Sequence, residues 1–224
     1  MTLRLQQEME QLNRSVLTLA GMVERQIRQA IKSFDARDEE MAIEVRNMDN
    51  EINLYKIKME EKCLQILALY QPVAINLRKT IAILKVASHL GEMDNLAVNI
   101  AKRTLRCIAA PNITALTVIT SEISKCVQEQ IQAVLNAWML LDSQRAKMVT
   151  TKDKQIDTLQ LLFFKQIEMQ IQNEPTLTHS FLAYLGVIRS LERIGDAVVR
   201  IAENIVYLVD GNLVPHNSST LPSG

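Results

Sequence analysis

The sequence predicts an all-α protein made of two pseudo-symmetric, antiparallel three-helix bundles. Gly (6) and Pro (5) are scarce among its 224 residues, and the residue types of long helices dominate. Apolar residues recur at alternating spacings of three and four, which is the seam of a packed helix. One such seam occurs twice, because the stripe that starts at Leu90 returns in the same phase at Leu191, 101 residues later. An internal repeat of this kind indicates a duplicated helical unit.

Three seams are predicted in the first part of the chain. The first runs from Leu5 to about Phe34, and the second runs from Met41 to Met59. The second helix must end before Pro72, because the residue ahead of a proline is pushed out of helical geometry. The third seam runs from Ile83 to Cys107, and Pro111 interrupts the pattern after it.

The same order of helices returns after this break. The fourth seam runs from Ile123 to Leu141, the fifth from Ile156 to Phe163, and the sixth from Val187 to Leu208. Asn173-Glu174-Pro175 separates the fifth helix from the sixth, and Asp210-Gly211 is a typical helix stop.

These breaks divide the chain into a first half, residues 1–110, and a second half, residues 113–211. A polar tail follows at residues 212–224, and we expect it to be disordered. Short connections between long helices favour antiparallel neighbours, so each half is predicted to run up, down and up. The segments that begin at Asp49 and Asp153 also align, at an offset of 104 residues.

Composition excludes several classes of function. The formal net charge is zero, with 25 basic and 25 acidic residues, so the chain has no general attraction for nucleic acid. Cys63, Cys107 and Cys126 form no C-x-x-C pair, and we expect reduced, buried thiols. No signal peptide or membrane-spanning apolar run is recognisable. We therefore expect a cytoplasmic protein.

Paired carboxylates are the most chemically suggestive feature. Asp153 and Asp157 on the fifth helix, and Glu192 and Asp196 on the sixth, are each four residues apart and so share one helical face. Such like-charge pairs destabilise a helix by ~0.2–0.5 kcal/mol unless something neutralises them. Four carboxylates facing one spot would suit Mg, Mn, Ca or iron. The alternative is a solvated face of mixed charge, because basic residues lie close by, namely Lys152, Lys154, Arg189, Arg193 and Arg200.

Motifs of known catalysts are missing from the sequence. A di-iron oxidase in a helical bundle needs Glu-x-x-His on two helices, but Val86 precedes His89 and Thr176 precedes His179 at that spacing. There is no Gly-rich phosphate loop and no G-x-S-x-G. We expect the chain not to be an enzyme.

The stretch Leu191–Asp196, followed by Arg200–Glu203, strongly resembles the signature of the PhoU family of phosphate-uptake regulators. Other segments agree with that family in the expected order. They are Gly21–Glu24 in the first helix, Asp49 and Asp153 at acidic positions of the second helix of each half, and Gln71-Pro72 with Leu77-Arg78 before the third.

The resemblance implies a fold of two three-helix bundles and a role in repressing phosphate-starvation signalling. It also implies contact with a phosphate ABC transporter and a membrane sensor histidine kinase, and peripheral membrane association through these partners. We further expect a homodimer. Finally, the resemblance implies a multinuclear metal site of iron, zinc, Mg or Mn on acidic motifs, which maps onto Asp153, Asp157, Glu192 and Asp196.

The first half departs from the family pattern. Gly91 and Asn95 occupy the positions of its Glu and Asp, while Glu92 and Asp94 stand where Arg and Gly are usual. Neutral groups are poor substitutes for carboxylates around a cation. We therefore expect metal to bind more strongly in the second half, with Asp49, Glu92 and Asp94 as a weaker or relocated set in the first.

The favoured hypothesis is a non-enzymatic adaptor that links the state of a phosphate transporter to a signalling kinase. One alternative is a metal-dependent enzyme or a metal-storage helical protein that uses the acidic clusters. Another is a PhoU-like accessory to a different anion transporter, or a divergent paralogue, which the altered first half favours.

Overall fold

The structure is a computed structural model that describes residues 3–109, 113–151 and 153–211, without the side chains of residues 151, 153 and 154. Within these residues there are helices and no strands. The predicted break at Pro111 and the tail at 212–224 lie outside the described residues. The α-helices are α1 (Leu3–Ala36), α2 (Glu39–Tyr70), α3 (Ala74–Arg106), α4 (Thr114–Leu140), α5 (Ser143–Thr151), α6 (Asp153–Asn173) and α7 (Thr178–Asp210), with a 3-10 turn at Pro175–Leu177.

Local signals fix where α2 and α7 begin or end. The Asp38 carboxylate accepts a hydrogen bond of 2.9 Å from the backbone N–H of Met41, which satisfies one of the orphan donors of the first turn of α2. Helix α2 ends at Gln71, whose left-handed backbone (φ 44°) precedes Pro72. Helix α7 ends at Gly211, which also adopts a left-handed conformation (φ 78°) that glycine tolerates without strain.

The first, third and sixth predicted seams are confirmed. Every residue that defines them is buried, and Leu19, Ile83 and Leu191 are among those with no exposed surface. In the second seam, Val45, Ile52 and Met59 are buried and the remaining residues are partly buried. The seams therefore identify the faces that form the core.

The second half contains one helix more than the seams predicted. The fifth predicted helix corresponds to α6, and a separate short helix, α5, precedes it. Helix α5 begins because the Asp142 carboxylate accepts 3.0 Å hydrogen bonds from the N–H groups of Gln144 and Arg145. Leu141 was placed wrongly in the fourth seam, because it adopts the left-handed conformation that ends α4 and is 42% exposed.

The two halves pack against each other mainly through α3 and α7, with a smaller contact between α1 and α4. One apolar cluster includes residues from all seven helices. At one end of this interface, the rings of Phe34 and Tyr184 meet edge to face with their centroids 5.0 Å apart. The Tyr184 hydroxyl is also 2.7 Å from the hydroxyl of Thr117 on α4. The duplicated halves thus share a continuous core.

Cys63, Cys107 and Cys126 are free thiols, and the first two are buried while the third is half-buried. In the part of the chain that the structure describes, none of the helices combines the length and apolar character needed to cross a bilayer.

Leu191 and Ile194 should be among the most costly positions to truncate, because both side chains have 0% exposure in α7. We expect Leu191→Ala and Ile194→Ala each to lower the free energy of unfolding by ~2–5 kcal/mol, the range for large-to-small changes in a core. Leu182→Ala on the same helix is the matched control, because Leu182 is 56% exposed. Urea denaturation that shows equal losses in all three variants would contradict this account of the core.

Candidate functional site

The second-half carboxylates lie where α6 faces α7. Asp157 is exposed on α6, and Glu192 and Asp196 are half-buried on α7. The side-chain amide of Gln160 on α6 donates a 2.7 Å hydrogen bond to Oε2 of Glu192. Asp153 is the first residue of α6, and its side chain lies outside the described residues. The structure therefore places three of the four predicted ligands along the contact between α6 and α7.

The surroundings of Glu192 disfavour its ionised form. Burial raises the pKa of Glu192, and the nearby Asp196 and Asp157 raise it further, while the hydrogen bond from Gln160 and the charge of Arg189 lower it. The donors are all oxygen atoms, which suits hard cations. Among the side chains that the structure describes, however, no three His, Cys, Asp or Glu residues are close enough together to hold a metal ion.

In the first half, Asp49 on α2 and Asp94 on α3 face each other. Asp94 is only 3% exposed. Burial raises the pKa of Asp94 to about 7, with a further rise from the charge and hydrogen bonding of Asp49, and with opposing effects from a Gln26 hydrogen bond and the Lys56 ammonium. Burial and the neighbouring charge of Asp49 therefore favour the protonated form of Asp94.

Glu92 does not join this pair. Residues two apart on a helix point about 200° away from each other, so Glu92 lies on the opposite side of α3 from Asp94. It accepts hydrogen bonds of 3.1 Å from both Arg193 and Arg200 of α7. The predicted first-half set of Asp49, Glu92 and Asp94 is therefore not a single cluster in the structure.

The ion pair between the halves was missed at the level of sequence, although the repeat offset contained a signal for it. Glu92 and Arg193 are 101 residues apart, so they are equivalent positions of the two repeats that meet each other across the interface. Two arginines at these positions would repel, whereas opposite charges attract. The polar partners Gln26 and Gln160 were also missed, because a lone glutamine in a helical seam has no distinctive pattern.

Comparison with known proteins now decides the family. The PhoU domain matches twice, at residues 16–104 and 120–205. The chain belongs to the PhoU family. It is 31% identical over 209 residues to the "Phosphate-specific transport system accessory protein PhoU homolog" of Pseudomonas aeruginosa, which covers 93% of this chain and 86% of that protein. It is 28% identical over 209 residues to the PhoU protein of Escherichia coli K12, with the same coverage.

Solved structures agree with this assignment. The crystal structure of PhoU from Pseudomonas aeruginosa superimposes with a TM-score of 0.89 at 30% identity, and covers 92% of this chain and 99% of that one. The phosphate transport system regulatory protein PhoU from Streptococcus pneumoniae gives a TM-score of 0.87 at 28% identity, and covers 94% of this chain and 99% of that one.

The predicted family, the all-α class and the duplication are thereby confirmed. The relatives are named as accessory or regulatory proteins of phosphate transport, which agrees with the expectation that this PhoU-family chain is not an enzyme. Metal binding and dimer formation remain predictions.

The carboxyl pair of Asp49 and Asp94 should give stability a distinct pH dependence. Because the pKa of Asp94 is raised to about 7 in the folded state, the native protein holds a proton that the unfolded chain releases. The free energy of unfolding should therefore fall as the pH rises from about 4 to about 7. Asp94→Asn removes this titration, so we expect its free energy of unfolding to depend less on pH. Relative to wild type, the variant should therefore be more stable at about pH 8 than at about pH 5.

Urea denaturation across this pH range measures the effect. Glu51→Gln, at an exposed position of α2, is the control and should keep the wild-type profile. A profile for Asp94→Asn as steep as that of wild type would show that Asp94 is not the responsible group.

Proposed function

We propose that this chain regulates phosphate uptake and phosphate-starvation signalling as a non-enzymatic adaptor between a phosphate ABC transporter and a membrane sensor histidine kinase. The observation that carries this proposal is the match of both PhoU repeats together with full-length relatives named as accessory proteins of phosphate-specific transport. The kinase partner rests on the family signature in Leu191–Asp196. With these partners, the protein would act in the cytoplasm, in peripheral association with the membrane.

The shared core supports an adaptor that acts as one unit. The α3–α7 contact and the ion pairs of Glu92 with Arg193 and Arg200 hold the halves in one orientation. A partner bound to one half would then be held at a fixed geometry to a partner bound to the other. A homodimer would present each surface twice, and light scattering tests that state.

We also propose that the second half binds a metal, of the class iron, zinc, Mg or Mn, through Asp157, Glu192 and Asp196 with Asp153. The mutual repulsion of these carboxylates supports this, because a cation would relieve it. Bound there, the metal would supply positive charge that links α6 to α7. Arg189 and Gln160 balance part of the charge of Glu192.

A second candidate is an accessory to a different anion transporter. The altered residues of the first half, Gly91, Glu92, Asp94 and Asn95, favour specialisation away from the usual pattern. The relatives named for phosphate-specific transport make phosphate the favoured anion.

Deletion of the gene, together with every paralogue in the same host, tests the proposal. We expect derepression of phosphate-starvation genes or altered phosphate uptake, restored by the wild-type chain, because an adaptor that represses signalling has been removed. A starvation reporter and labelled phosphate uptake are the measurements. Normal signalling and normal uptake in that strain would overturn the adaptor proposal, and a change confined to another anion would favour the second candidate.

A further inference from the structure

Equivalent positions of the two repeats make the same contact with different chemistry. In the second half, Gln160 of α6 donates to Glu192 of α7 at 2.7 Å. The offsets of 104 and 101 residues relate these positions to Lys56 of α2 and Gly91 of α3. These two also meet, because a Cβ atom added to Gly91 would lie 2.8 Å from Cδ and 3.4 Å from Nζ of Lys56. In the second half an amide faces a carboxylate, whereas in the first half the Lys56 side chain faces the backbone of Gly91.

Glycine at residue 91 leaves room for the Lys56 side chain. Glycine inside a helix costs roughly 0.5–1 kcal/mol relative to alanine, and Gly91 is in the middle of α3 with an ordinary helical backbone. Any side chain there would force Lys56 to move, because a separation of 2.8 Å is too short for two carbon atoms. The stem of Lys56 therefore fills the space into which the side chain equivalent to Glu192 would project.

The remaining equivalents of the second-half cluster are neutral as well. Asn53 and Asn95 stand at the positions of Asp157 and Asp196. The Asn95 amide donates a 2.9 Å hydrogen bond to the carbonyl of Gly91, back onto its own helix. These groups offer little to a cation from solvent, because neutral amides bind hard cations less strongly than carboxylates do.

The Lys56 ammonium itself supplies positive charge at this place. Its Nζ lies 3.9 Å from Oε1 of Glu60, and its charge acts on the buried carboxyl of Asp94. Asp94 in turn faces Asp49, the counterpart of Asp153. The acidic groups that remain in the first half thus have a covalently attached cation among them. The donor set and the filled space do not fit a metal ion.

We propose that Lys56 is a tethered cation that takes the place of a metal ion in the first half, so that this chain binds metal through its second half alone. The second-half site rests on the metal binding proposed above, whereas the coupling to a transporter plays no part in the inference.

Manganese titration of the full chain by calorimetry tests this proposal. The first variant introduces the second-half residues into the first half and is Asn53→Asp/Lys56→Gln/Gly91→Glu/Asn95→Asp. We expect it to bind at least one more Mn²⁺ per chain than wild type. The matched control is Asn53→Asp/Gly91→Glu/Asn95→Asp, which keeps Lys56 and should gain no Mn²⁺. An equal gain in both variants, or no gain in a folded first variant, would overturn the proposal.

Single substitutions keep the test decisive if the multiple variants do not fold, which circular dichroism would show. In the otherwise wild-type chain, Asp49→Asn should leave the Mn²⁺ stoichiometry unchanged, whereas Asp157→Asn should lower it. Loss of Mn²⁺ in Asp49→Asn would show that the first half binds metal and would overturn the proposal. Failure to detect any Mn²⁺ on the wild-type chain would also overturn it, and would leave the transporter proposal untouched.

Discussion

The packing of α3 against α7 is the constraint on which the rest of the structure depends. Each of these helices packs against the other helices of its own half, and each must also bury a face against the other half. Burying one Leu or Ile side chain stabilises a fold by ~1.5–3 kcal/mol, and both helices carry an unbroken buried seam, from Ile83 to Thr104 and from Val187 to Leu208. The ion pairs of Glu92 contribute less, because a partly exposed pair is worth about 0–1 kcal/mol. Apolar burial therefore provides the stability, and the charges favour one register.

Duplication explains why the halves share a core and differ in charge. A buried position must keep its volume and apolar character, because cavities and overpacking in a core each cost kcal/mol. Positions on the rim of the core have more freedom. Position 91 is glycine and position 56 is lysine, where the second half has Glu192 and Gln160, and the two positions are in contact in both halves. The two halves thus share the pattern of buried apolar positions and differ in the chemistry beside the core.

The sequence predicted the parts of the fold that depend on local pattern. The seams, the break before Pro72, the stop at Gly211 and the 101-residue offset all follow from spacing and backbone preference. Helix α5 was missed because Ala146 and Val149 are the only buried residues among its described side chains, which is too few for a seam. Leu141 was placed wrongly because a left-handed cap has no apolar signature.

The candidate site was predicted less completely, because a site depends on how helices are aligned with each other. Glu92 was grouped with Asp94 by closeness in sequence. Residues two apart on a helix, however, point in nearly opposite directions. The contact of Lys56 with Gly91 depends on the register between α2 and α3, which periodicity within one helix does not determine. The aligned offsets of 101 and 104 could have suggested this contact, but only with the pairing of Gln160 and Glu192 already known.

The central claim is that this PhoU-family chain acts by contact with the phosphate transport machinery. Affinity capture of membranes from the native host, grown at high and at low phosphate, tests it most directly, with the folded full-length chain as bait and an unrelated helical protein as control. The account predicts capture of subunits of a phosphate transporter or of its sensor kinase, in amounts that change with phosphate. Failure to capture either of them at both phosphate levels would contradict it.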